Sequence, residues 1–104
     1  MQEVPECLVE YHQSGKPLVV HIPVQPWTCE LWPLNQVREY NSERMLSECA
    51  PGYFGFGSNG AGELYALSPD GEIVCLDFCG LNPKEALHVA HSWSAFSAMF
   101  QRAL

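Results

Sequence analysis

The segment PGYFGFGSNGAGELYALSPDGEIVCLDF, residues 51–78, decides how the chain folds. Gly55, Gly57 and Gly60 have the spacing of a G-x-G-x-x-G nucleotide loop. That chemistry needs a helix directly after the glycines, because the helix N-terminus supplies amide donors and dipole to a pyrophosphate. Here two β-favouring runs, ELYAL and EIVCLDFC, follow instead, separated by Ser68-Pro69-Asp70-Gly71. Pro69 presets the first turn torsion, Asp70 tolerates the second, and Gly71 can take the positive φ that leads into the next strand. The segment is predicted as a β-hairpin entered through a turn in which Gly57, Gly60 and Gly62 permit positive φ and close backbone packing. Asp77, near the expected distance of a ribose-binding acid, then falls in a strand. A protein-kinase glycine loop is excluded because no V-A-I-K, H-R-D or D-F-G follows, and SGKP (residues 14–17) lacks the earlier glycine of a Walker A loop.

Working outward, PECLVEYHQ from Pro5 to about Gln13 reads as a short helix with proline near its start and Leu8, Val9 and Tyr11 on a partly apolar face. PLVVHIPV, residues 17–24, is rich in β-branched residues and reads as a strand, with Pro23 pushing it toward a sheet edge. Trp27 and Trp32 lie among turn-formers, and Leu34, Val37 and Tyr40 fit a helix from about Leu34 to Asn41. A further helical turn around Arg44 to Cys49 must stop before Pro51. At the C-terminal end, Val89, Trp93, Phe96, Phe100 and Ala103 make one apolar helical face. Either that helix starts near Pro83, or Ser92 caps it, and then EALHVA enters it as an irregular segment or strand end.

The chain has 104 residues, enough for one core, and is read as a single domain spanning 1–104. The expected class is α+β: a twisted antiparallel sheet of about four to six strands with two to four helices packed mainly to one side. The longest apolar run is broken by His21 and Pro23, no signal peptide is recognisable, and a cytoplasmic protein without membrane contact is expected. Five cysteines are scattered without the even pattern of a disulfide scaffold, so reduced thiols are expected. With 5 Lys+Arg against 12 Asp+Glu, the net charge of -7 disfavours direct nucleic-acid binding and favours basic partners.

Three constellations carry chemistry. Cys75, Cys79, His88 and His91 offer the ligand types of a zinc site, but at a spacing shorter than a usual finger loop, and no metal or cofactor is expected. A cysteine with His21, His88 or His91, or the carboxylates of Glu63 and Asp77 facing each other across the hairpin, are the raw material of an active site. No cysteine has an electropositive setting, and like-charged pairs on exposed strands are usually solvated, so no catalytic residue is assigned. The aromatics are more informative: Trp27, Trp32 and Tyr65 are candidate partner contacts, rimmed by Glu63, Asp70, Glu72 and Asp77, a set suited to steer a basic protein and hold it by burial.

In its order of motifs the chain resembles the SUKH superfamily, which includes yeast cell-wall-synthesis and killer-toxin-resistance regulators and many bacterial toxin-immunity proteins. Gly57, Ser58, Gly60, Gly62, Glu63, Gly71, Glu72, Ile73 and Asp77 fall on that family's central pattern. VPECLVEYHQSGK is similar to its early helix, PLNQVREYN to its central helix ending in Asn, and VAHSWSAF to its closing helix, with the usual first helix lacking. The resemblance implies a non-catalytic protein-binding domain, foremost a bacterial immunity protein that neutralises a basic, nucleic-acid-targeting toxin by occlusion. The eukaryotic relatives imply the alternative, an intracellular scaffold or regulatory domain. A small zinc- or thiol-dependent enzyme is the third reading.

Overall fold

The computed structural model describes residues 4–43 and 46–102. Its centre is an antiparallel sheet in the order β6-β5-β4-β3-β2-β1-β7. The strands are β1 (Val19–His21), β2 (Thr28–Leu31), β3 (Phe54–Ser58), β4 (Glu63–Leu67), β5 (Ile73–Asp77), β6 (Leu87–Ala90) and a two-residue β7 (Gln101–Arg102). The α+β class and the β4–β5 hairpin are as expected, and β7 adds a short seventh strand to the four to six anticipated. Helices α1 (Glu6–Gln13), α2 (Val37–Glu43) and α4 (Trp93–Ala98) and a single helical turn, α3 (Leu46–Cys49), complete the layers. No described helix is long and apolar enough to cross a membrane.

Local chemistry explains most boundaries. Ser92 caps α4, its hydroxyl accepting from the Ala95 amide at 3.0 Å, so the helix starts at Trp93 and residues 87–90 form an edge strand. Ser68 closes the β4–β5 turn by accepting from the amides of Asp70 and Glu72, while Gly71 adopts φ +85. Asn59 closes the β3–β4 turn in the same way, accepting from Ala61 and Glu63, with Gly60 and Gly62 at positive φ. Gly57 serves another purpose: a Cβ there would sit 2.7 Å from the Glu30 carbonyl oxygen, so glycine is what lets β2 lie against β3.

Consecutive residues of β3, β4 and β5 are buried, which requires cover on both faces of the sheet. One face carries Phe56 and Tyr65, which meet Phe96 of α4 at ring separations of 5.9 and 5.6 Å. Tyr11 of α1 joins this cluster through Trp93 and Phe100 at 5.8 and 5.6 Å. On the other face, a side chain at Gly55 would meet Trp32 at 3.2 Å and Leu46 of α3 at 3.3 Å. The helical elements therefore divide between the two faces, which differs from the mainly one-sided packing expected. Each fully buried aromatic in the cluster, Phe56, Tyr65 and Phe96, contributes roughly 1.5–3 kcal/mol through removal from water.

Candidate protein-docking surface

The β1–β2 hairpin alternates buried and exposed residues along both of its strands. Its register, Val19 opposite Glu30, Val20 opposite Cys29 and His21 opposite Thr28, puts Val20, Cys29 and Leu31 inward and Val19, His21 and Glu30 outward. The connecting residues 22–27 are tied down rather than loose. The Ile22 amide donates to the Trp27 carbonyl at 2.9 Å, Trp27 to Val24 at 2.8 Å and Thr28 to Pro26 at 2.8 Å, around a cis Gln25–Pro26 bond. Ile22, 3 % exposed, anchors the loop inward. The Tyr65 hydroxyl donates to the Thr28 carbonyl at 2.6 Å and joins the hairpin to the core.

On this fixed frame the chain displays apolar surface. Of the four large hydrophobic side chains exposed among the described residues, three lie on the hairpin: Val19 at 46 %, Val24 at 37 % and Trp27 at 55 %. Trp27 also holds φ +73, a left-handed conformation that costs a non-glycine residue on the order of 1 kcal/mol. More than half of this large aromatic stays in water, on a strained backbone.

Carboxylates lie on the hairpin and the neighbouring strands. Glu30 lies opposite Val19 on one side and Ser58 on the other, and Ser58 is the residue before Asn59, whose side chain donates to Glu63 at 2.9 Å. Glu63 in turn sits directly opposite Asp77. The Asp77 carboxylate accepts from the Cys79 amide at 2.8 Å. Among the described residues the sole ion pair is His88 with Glu72, at 3.1 Å, and none joins Glu30, Glu63 or Asp77 to a described lysine or arginine.

The structure brings together only part of the set expected from sequence. Trp27, Glu63 and Asp77 share one end of the sheet. Asp70 and Glu72 stand at the far end of the β4–β5 hairpin, a five-residue strand or roughly 15 Å away, so the four acids do not form one rim. Tyr65 is 0 % exposed and Trp32 8 %, the latter packed against Tyr40 at 5.1 Å. Both are core residues whose rings are already used, which corrects their assignment as contacts. Val19, Val24 and Glu30 were missed; the alternation of Val19-Val20-His21-Ile22 carries the signal for Val19, whereas the four residues of β2 are too short a pattern to single out Glu30.

The glycine-rich turn is filled by its own Asn59, which occupies the Ala61 and Glu63 amides that a phosphate would need. Cys75 pairs with Leu87 and points inward, whereas His88 pairs with Val74 on the opposite face and binds Glu72. Cys79 lies in the turn after β5 and His91 in the turn before α4. The four zinc candidates are thus dispersed by strand alternation, and no group of three metal-binding side chains occurs among the described residues. Burial, with Glu63 nearby, pushes the Cys75 thiol up to about 12, and burial, with Cys75 and Glu30 nearby, raises Cys29 well above its ordinary value. Both thiols are protonated at neutral pH and hidden from substrate. Glu63 and Asp77 do face one another, as expected, and each is held by a local hydrogen bond.

The fold and this surface define an α+β domain with an antiparallel sheet and a displayed aromatic. Compared with protein-family models and with curated proteins, the chain matches none.

Proposed function

We propose that this chain is a non-catalytic, cytoplasmic protein-binding domain that docks a basic partner through the β1–β2 hairpin. The observation that supports it is Trp27, more than half exposed on a hydrogen-bonded turn of a hairpin that also exposes Val19 and Val24, with Glu30, Glu63 and Asp77, none ion-paired to a described lysine or arginine, toward the same end of the sheet. An aromatic anchor supplies affinity by burial in the partner, and the carboxylates steer an oppositely charged surface and fix its register.

The partner class follows from the resemblance to SUKH proteins together with the net charge of -7. The reading is an immunity protein that covers the basic cleft of a nucleic-acid-targeting toxin and blocks it by occlusion. Co-expression with the toxin domain encoded beside its gene tests this: restored growth is expected. Uninhibited killing, with the chain soluble and folded, refutes the immunity role.

A further inference from the structure

A groove of about 690 Å³ runs between the α1–β1 connection and α4, with β1 as its floor. That volume is in the range of small-molecule clefts, roughly 300–1,000 Å³. Its walls are apolar where the rings of Tyr11 and Phe100 face Pro17 and the buried Val20, and polar where Ser94 and Ser97 line it. Lys16 is the one charged side chain among the described lining residues, which include no carboxylate. The Lys16 ammonium lies 5.8 Å above the Tyr11 ring and has no ion-pair partner among the described residues.

We propose that this groove binds a small monoanionic carboxylate with an aromatic or aliphatic body. The carboxylate meets the Lys16 ammonium, a compact point charge suited to one negative charge. The body lies along Tyr11, Phe100 and Val20, where burial supplies most of the affinity. The Ser94 and Ser97 hydroxyls add polar partners at the rim. A single cation among the described lining residues suits a monoanion better than a phosphate dianion. The site is separate from Trp27 and Glu63, and the inference does not rest on the docking reading.

The test titrates the full chain, uniformly labelled with nitrogen-15, with benzoate and hexanoate, and in parallel with benzyl alcohol and 1-hexanol as uncharged counterparts. Saturable amide shifts at Gly15, Lys16, Ser97 and Gln101 are expected with the acids, and Lys16→Met weakens that binding about tenfold or more while leaving the rest of the spectrum in place. Ala98→Phe, which fills the groove from α4, abolishes the shifts with Lys16 intact. Absent or non-saturating shifts with both acids, equal binding of the alcohols, or unchanged affinity in Lys16→Met would each overturn the proposal.

Discussion

The side-chain amide of Asn41 takes both main-chain groups of Gly55: its oxygen accepts from the Gly55 N–H at 2.7 Å and its nitrogen donates to the Gly55 carbonyl at 2.8 Å. The same nitrogen donates to the Val37 carbonyl at 2.7 Å. β2 leaves the sheet at Leu31, and the Trp32 amide makes the last bond to β3, at the Phe56 carbonyl. Asn41 therefore continues the ladder by one rung, its side chain standing in for a strand. It is 8 % exposed, the one buried polar side chain among the described residues, and fully bonded.

Asn41→Ala leaves the Gly55 N–H and carbonyl buried without partners, and a loss of about 3 kcal/mol is expected. Asn41→Asp keeps the acceptor but sets a carboxylate against two carbonyl oxygens, and it also destabilises. Urea unfolding midpoints measure both. A change under about 0.5 kcal/mol in Asn41→Ala, the range of ordinary surface substitutions, shows that the rung is dispensable.

Two glycines separate close approach from open space. At Gly57 a methyl group meets the Glu30 carbonyl oxygen at 2.7 Å, and backbone rather than a flexible side chain must give way. Gly57→Ala is expected to cost about 2–3 kcal/mol or prevent folding. Nothing lies within 4 Å of a Cβ at Gly80, and Gly80→Ala is expected within about 0.5 kcal/mol of the parent. Equal thermal midpoints for the two variants would contradict the packing described for β2 and β3.

Stability falls in alkali because of the buried thiols. Cys75 holds its proton more tightly folded than unfolded, from an ordinary 9.0 to about 12. Its contribution is whole below pH 9 and is lost as pH rises from there toward 12, at about 1.4 kcal/mol per pH unit. Burial raises Cys29 in the same direction, and burial with Cys29, Cys75 and Glu63 nearby raises the Tyr65 phenol. Unfolding free energy measured from neutral to strongly alkaline pH is expected to stay flat and then fall. Cys75→Ala, less stable at neutral pH, is expected to fall less steeply; parallel curves would contradict the assignment.

Thiol labelling at neutral pH reads the same burial by another route. Cys49 and Cys79 are exposed and are expected to react at once, while Cys29 and Cys75 react only on unfolding. Rapid labelling of Cys75 in the folded chain would show that the sheet face it occupies is open.

The β4–β5 hairpin was legible because its cues are local: Pro69, Asp70 and Gly71 set the turn without help from the rest of the chain. The expected first helix differs from α1 by one residue at its start. β2 was not legible, since four residues with Glu30 among them and tryptophans outside it give too short a pattern. The helix expected from about Leu34 to Asn41 starts later, at Val37, and the expected strand of residues 17–24 shrinks to Val19–His21. Pro23 ends that strand, and only the two residues of β7 keep it from being an edge. Burial depends on contacts far apart in sequence: Trp32 and Trp27 look alike as residues, but only Trp32 finds Tyr40 and Gly55 waiting. The residues Arg44 and Met45 and the expected helical position Ala103 lie outside the described residues.

The most direct test of the proposed docking is the dissociation constant between this chain and a basic toxin domain encoded beside its gene, compared with that of Trp27→Ala. Because Trp27 is more than half exposed in the free chain, the proposed docking predicts that the variant unfolds close to the parent's midpoint and binds at least about thirtyfold more weakly, while Asp70→Asn, at the far end of the sheet, binds like the parent. No binding by the parent chain, or equal affinity for Trp27→Ala, would contradict docking through the β1–β2 hairpin.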